Sequence, residues 1–457
     1  MPMENGPNST QGFARSLMTL SLSAADVEHL GNLLLDHIGV SFCGARQPWV
    51  IALLRWAERY ANSGPCGLIG RDFTVAPDVA AFVNGVAAHS FELDDTHDVS
   101  LSHPGAVIFP TVLAIAADVK ASGLEVLTAV AAGYETMARL GAAIDARRII
   151  AHGFHPTALL GVFGAATAAA RTLRLSEQGL QCAWGHALSL AGGSMQFSQE
   201  PDGADVKRMH AGYAARNGVL AAQMAHIGIG APSRSLDGRY GFLALFGAGT
   251  ISSHSLTAPA PRLAIHDVSL KPYACNRLLH SMIDGLRELT GFDLEPRAVT
   301  RIVVRGPRKL VDQHVIRRPK TPMAAQYSLP FTVGAAFVFG SENQSAYDAH
   351  NLDDSRVLEW ADKTEVLEDA LLEAKFPEHF GTTVELTMAS GEIRSLCVLD
   401  SLGTPRRPMD RASIKMKMRG LLSHHAPEDF ERLVTAAETL STASSTAHLQ
   451  NALAISA

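Results

Sequence analysis

The five cysteines, Cys43, Cys66, Cys182, Cys275 and Cys397, are scattered along 457 residues with no C-x-x-C pair among them. That spacing argues against a disulfide scaffold and against a structural zinc ribbon, and makes a reducing, cytoplasmic setting the expectation. A basic surplus is missing too. Lys and Arg total 39 against 45 Asp and Glu, a formal net charge of −6, so neither nucleic acid nor an anionic membrane is an expected partner. Arg317-Arg318 and Arg406-Arg407 are too short to change that balance. The most apolar runs, Val107 to Ala117 and Phe331 to Phe339, fall short of the roughly 18 residues needed to span a bilayer. The polar opening MPMENGPNSTQGF has no basic segment leading into an apolar core and does not read as a signal peptide. A soluble protein is expected. Cofactor fingerprints are also absent: no G-x-G-x-x-G after a strand, no G-x-x-x-x-G-K-[ST], no G-x-S-x-G and no H-E-x-x-H. If the chain is an enzyme, its side chains are expected to work unaided.

What is present is apolar and small. Hydrophobic residues make up 47% and charged residues 18%, the composition of a globular chain with a large core, and the length suits roughly two to three domains. Ser23 to Asp26 has the spacing of a capping box, and Val27, Leu30, Leu34 and Ile38 follow at helical intervals. Further helices are expected at about 77–92, 106–122, 124–144, 156–173, 177–191 and 208–227. Several are apolar on most faces, GVFGAATAAA at 161–170 for example, so they belong inside a multi-layer bundle. The Pro-rich stretch 255–264 breaks this texture. Strand patterns follow at 301–305 and 384–388, with a turn at Ala389-Ser390-Gly391 leading back into 393–399, and helices are expected around 275–291 and 321–340. The fold class is therefore mainly α. A large all-helical domain covers 1–260 and is joined by C-terminal helices in 401–457, while a smaller α+β domain covers 265–400. From residue 441 onward the Ser/Thr/Ala-rich tail is expected to fray.

Four polar segments interrupt the apolar pattern. The densest runs from His89 through Glu92, Asp94, Asp95, Thr96, His97 and Asp98 to His103-Pro104-Gly105. Carboxylates and imidazoles this close shift one another's pKa, which suits acid–base catalysis, although a capped, solvated connector uses the same residues. The segment lacks the H-x-x-x-H spacing of a helical metal site, so no metal is expected. The others are Gly153-Phe154-His155-Pro156-Thr157, then Lys207-Arg208-Met209-His210, then Lys271-Pro272-Tyr273-Ala274-Cys275-Asn276-Arg277 with His280 one turn on. Taken singly, each reads equally as a helix start.

Taken in order, these segments resemble the MmgE/PrpD family: 2-methylcitrate dehydratases, cis-aconitate decarboxylases and iminodisuccinate epimerase. The resemblance rests on His89-Ser90-x-Glu92-x-Asp94-Asp95-Thr96 with His103-Pro104-Gly105, Gly153-Phe154-His155-Pro156-Thr157, Lys207-Arg208-Met209-His210-x-Gly212 and Lys271-Pro272-Tyr273-x-Cys275. It implies a site in the cleft between the two domains, a homodimer, no metal or organic cofactor, and a small polycarboxylate as substrate. It also implies that His103 and His155 are the acid and base and that Lys207 and Lys271 clamp carboxylates. Glu92, Asp94 and Thr96 would line the pocket, with Arg277 and His280 as further candidates.

The motifs depart from two branches of that family. Asp94-Asp95-Thr96-His97 and Ser102-His103-Pro104-Gly105 stand where methylcitrate dehydratases read like N-D-T-W and W-G-H-P-S-D. Asn276 follows Ala274-Cys275 where the dehydratases and decarboxylases tend to carry a histidine after Pro-Ala. Elimination therefore puts epimerisation of an iminodisuccinate-like compound first, with dehydration or cis-aconitate-type decarboxylation as the alternative and a polycarboxylate-binding scaffold as the non-enzyme reading. The expected mechanism has His103 and His155 facing each other across one substrate carbon. Histidines titrating at about 6–7 would give a bell-shaped pH–rate profile.

Overall fold

In the computed structural model, residues 9–200, 204–247, 256–258 and 261–455 are described; the first eight residues of the polar opening and part of the Pro-rich 255–264 stretch lie outside them. The capping box forms as expected: the Ser23 hydroxyl accepts from Asp26 N–H and the Asp26 carboxylate accepts from Ser23 N–H, opening the helix Ala24–Ala45. Ser122 and Glu125 do the same for Gly123–Ile144. Proline opens Pro77–Ala88, Pro104–Val119 and Pro156–Thr172, where its missing N–H costs nothing. The residue before a proline is pushed out of the helical region, so His103 and His155 become N-caps held outside their helices.

These helices pack with Glu177–Leu190 and Val206–His226 into one large apolar core. Contact is close enough to require glycine at Gly44, where a Cβ would lie 1.8 Å from the Ala87 carbonyl oxygen. The helices Arg411–Leu421 and Pro427–Glu438 return to this core, and Lys417 Nζ reaches Asp36 at 2.6 Å and the Leu93 carbonyl at 3.1 Å. A second core gathers around a four-stranded sheet in the order Thr364–Glu368, Val299–Gly306, Thr382–Met388, Ile393–Val398. The first pair is parallel and the others antiparallel. The expected hairpin is there, with Gly391 at φ +89° in its turn. The fold is mainly α with a smaller α+β part. No helix among the described residues is long and apolar enough to cross a membrane.

Three expectations are corrected. The helix expected over 77–92 ends at Ala88, with His89 as its C-cap. The one expected over 321–340 is two, Pro322–Gln326 and Leu329–Phe339, because Ser328 caps the second by accepting from Phe331 N–H. The tail does not fray throughout: Ala447–Leu453 is helical, Leu449 is fully buried and Gln450 donates to the Leu113 carbonyl.

Two glycine substitutions separate packing from propensity. Gly44→Ala should cost about 2–3 kcal/mol by overpacking against Ala87, whereas Gly420→Ala, with nothing within 4 Å, should gain about 0.5–1 kcal/mol of helix stability. Urea unfolding of both variants checks this, and equal effects would mean that the close helix contact is not what demands glycine.

Candidate active site

Where the 77–88 helix stops, the chain continues through a turn and a series of bends along the boundary of the two cores. Phe91 and Leu93 enter the smaller core. Between them Glu92 is turned by a left-handed backbone, φ +54°, a costly conformation for a glutamate. The carboxylates of Glu92 and Asp94 thereby meet two buried ammonium groups. Lys207, in the first turn of 206–226, pairs with Glu92 Oε1, and Lys271 Nζ lies 3.7 Å from Glu92 Oε2 and 3.5 Å from Asp94 Oδ1. Lys271 is carried there by strand Val268–Ser269, which pairs with Thr96–His97.

The imidazoles gather on the same cluster. His89 Nδ1 bonds Asp94 Oδ2 at 2.6 Å, and its buried Nε2 has no hydrogen-bond partner among the described residues, a cost that a ligand atom would remove. His103 Nδ1 lies 2.8 Å from the Asp95 carbonyl oxygen and 3.5 Å from both Asp94 Oδ2 and the Thr96 hydroxyl. A carbonyl only accepts, so Nδ1 carries the proton and Nε2 keeps a lone pair. Asp95 fixes the next turn as well: its carboxylate accepts from Gly105 N–H at 2.8 Å and from the Tyr134 hydroxyl at 2.6 Å. A Cβ at Gly105 would come within 2.8 Å of both partners. His155 Nδ1 lies 3.0 Å from His210 Nδ1.

Burial sets the charge states. Desolvation alone would raise Glu92, but Lys207 and Lys271 outweigh it and hold the carboxyl well below its ordinary range. Asp94 is likewise kept ionised against burial by His103, His89 and Lys271. Burial pushes His103 down to about 3, only partly opposed by Asp94. It lowers His155 too, with His89, His210 and Lys207 adding to the shift. Burial raises Asp95 to about 7, with Asp94 and Asp36 pushing the same way against its two hydrogen bonds. At neutral pH two ammoniums face two carboxylates and the histidines are uncharged, which corrects the expectation of imidazoles titrating at 6–7.

The structure brings Glu92, Asp94, Thr96, His103, Lys207 and Lys271 together and His155 beside them, but His89 stands between the two expected catalytic imidazoles, its ring centroid 5.1 Å from His103 and 5.8 Å from His155. Arg277 and His280 turn elsewhere. The Arg277 guanidinium donates to Ser401 over the Phe380 ring and lines a separate cavity of about 710 Å³. The His280 ring packs on Tyr273, with its Nε2 on the Cys275 carbonyl. Sequence reasoning missed Tyr327, whose hydroxyl lies 3.5 Å from Glu92 Oε1; the Ser-Leu-Pro that follows it was the available sign of a helix break. It also left His89 and His210 outside the expected site.

The ligand atoms of His89, Asp94 and His103 lie within 4.8 Å of one another. A divalent cation there would sit beside the Lys271 ammonium and compete with the His89–Asp94 hydrogen bond. Lys207 is buried against Glu92, and its loss would strand a buried carboxylate at about 3–5 kcal/mol.

Residues 10–253 match the family model for the MmgE/PrpD N-terminal domain and residues 273–441 that for the MmgE/PrpD C-terminal domain. A cis-aconitate decarboxylase-like protein of Aspergillus oryzae is 29% identical over 90% of this chain and 88% of its own length. The mouse cis-aconitate decarboxylase is 26% identical over 96% and 91%. A cis-aconitate decarboxylase of Aspergillus terreus is 30% identical over 61% of this chain and 59% of its own.

These charge states predict how stability responds to acid. In the unfolded chain a histidine takes a proton near pH 6.5, whereas native His103 resists to about 3. The unfolded state therefore binds more protons between those values, and unfolding free energy falls as pH drops below about 6.5. Urea unfolding from pH 7.5 to 4.5 should show that slope, and His103→Gln should reduce it by one proton's share, the other buried histidines keeping the rest. An unchanged slope would mean that His103 is not held neutral.

Proposed function

This chain belongs to the MmgE/PrpD family, and from that premise we propose that it is a lyase that decarboxylates a small unsaturated tricarboxylate of the cis-aconitate kind. The observation that carries the reading is the electroneutral cluster of Lys207, Lys271, Glu92 and Asp94 with three uncharged imidazoles against it. The names of the matched relatives support decarboxylation and rank it above the epimerisation that elimination on the motif residues puts first. That elimination leaned on Asn276, a position whose side chain is used locally: its Oδ1 accepts from Leu278 N–H, and it also hydrogen-bonds Tyr327.

Chemically, the carbon–carboxylate bond breaks and its electron pair becomes a new double bond as the existing one shifts. Charge collects on the remaining carboxylate until a proton reaches the carbon beside it. The ammonium groups of Lys207 and Lys271 stabilise that carboxylate oxygen as charge develops. His103, with its tautomer fixed by the Asp95 carbonyl, delivers the proton from Nε2 after acquiring it when the anionic substrate enters. The Tyr327 hydroxyl, at Glu92 Oε1 where Lys271 faces Oε2, orients the pocket carboxylate. No step in this scheme calls for a metal or an organic cofactor.

Two measurements test the reading. Incubation with di- and tricarboxylates in D2O, followed by proton NMR, should give CO2, a new =CH2 signal and one deuterium beside the retained carboxylate with cis-aconitate. Deuterium wash-in on an intact skeleton would make the protein an epimerase, and loss of water a dehydratase. A polyanion entering a cluster with no net charge must also raise the imidazole pKa values. Binding should therefore take up protons and tighten as pH falls from 8 to 6, which calorimetry in buffers of different ionisation enthalpy reads directly; pH-independent affinity would count against charge pairing through the histidines.

A further inference from the structure

His210 is not accounted for by the proposed chemistry, yet it is built into the site. It lies three residues after Lys207 in the first turn of the 206–226 helix, its side chain is buried, and its Nδ1 is 3.0 Å from Nδ1 of His155. The Phe197 ring stands edge-on to both imidazoles, 5.9 Å from His155 and 5.6 Å from His210. The charged and titratable groups facing the pair are Lys207, His89 and, on the His155 side, His103.

Two ring nitrogens at that distance hold one proton between them, since two lone pairs or two N–H groups would repel. The rings are thus locked in complementary tautomers. If His155 donates from Nδ1, its Nε2 is bare; if it accepts at Nδ1, its Nε2 carries the hydrogen. The state of the nitrogen that His155 offers to a ligand is therefore tied to which ring of the pair carries the shared proton.

We propose that His210 is a positioning residue that sets the tautomer of His155 and shares the proton His155 acquires. The step is a plain proton relay. When His155 Nε2 takes a proton, an N–H bond forms there, the Nδ1–H bond of His155 breaks, and an N–H bond forms at Nδ1 of His210. The pair, neutral beforehand, carries a single positive charge after the uptake, on the His210 ring, and nothing is oxidised or reduced. The catalytic half of this inference rests on reading the cleft as a site of proton transfer to a polycarboxylate; the tautomer half rests on the geometry alone.

The experiment uses full-length protein with 15N-labelled histidine rings, assigned with a His155→Gln variant. In the wild type the His155 ring should show the 15N shifts of one tautomer. In His210→Phe these should move to averaged values, with kcat on the polycarboxylate down about 10–100-fold and KM changed by less than about threefold. His210→Asn, whose amide can reach Nδ1, should keep one tautomer and recover part of kcat; it also serves if the Phe variant does not fold. His155 shifts indifferent to both substitutions, or full kcat in His210→Phe, would overturn the proposal. Turnover of no polycarboxylate by the wild type, with a His155 tautomer that still depends on His210, would sustain the pairing and sink the reading of the cleft instead.

Discussion

Two lysine ammoniums lie in the interior of this protein at 3% and 1% exposure, and ions so far from water are tolerable only when opposite charge and hydrogen bonds surround them. Glu92 and Asp94 supply the charge. To do so the chain has to leave its helix at Ala88, bend its way between the cores, and hold Glu92 at positive φ. Phe91 and Leu93 anchor that run in the smaller core, while Lys417 from the returning C-terminal helices ties down the Leu93 carbonyl and Asp36. The charge cluster thus dictates the path of the strap that carries it.

The histidines follow from the same constraint. In a pocket already balanced by paired charges, a protonated imidazole has no counter-ion to spare, and burial keeps the rings neutral. Their hydrogen bonds then carry the information that charge would carry elsewhere. The Asp95 carbonyl selects which nitrogen of His103 bears the proton, and Asp95 in turn is held by Tyr134 and the first turn of the 104–119 helix. A substrate that brings negative charge converts these poised neutral rings into acids, so the groups that bind the substrate also activate the rings.

Local signals in the chain foretold local outcomes. Ser23 and Asp26 announce their capping box, the prolines at 104 and 156 mark helix starts and expose the histidines before them, and Gly391 marks its hairpin. The ordered motifs named the cluster of Glu92, Asp94, His103, Lys207 and Lys271. What was hidden depends on distances across the fold. Arg277 and His280 have the right chemistry beside Lys271, but helical spacing does not say which core a side chain will enter, and both turn away. The apolar pattern runs through Tyr327 as though one helix continued, so only the Ser328 cap, visible as Ser-Leu-Pro, betrays the break that delivers its hydroxyl to Glu92. Imidazole pKa values near 6–7 are those of solvated rings, and depth of burial is not written in composition.

The Gln326 side chain donates to the carbonyls of both Phe91 and Ala274, beside the Arg208 guanidinium that stacks on Trp49 and bonds the Ser90 carbonyl. One amide therefore joins segments 235 and 52 residues away along the chain. Closing loops of that length is paid in chain entropy before any contact rewards it. Helices such as 123–144 and 156–172, which neighbour each other in sequence, can assemble early, whereas the strap bearing Glu92 is fixed only once residues near 207, 271 and 326 have all arrived. The site is thus complete only when segments far apart in the chain are all in place, whereas much of the helical core is built from contacts between neighbouring helices.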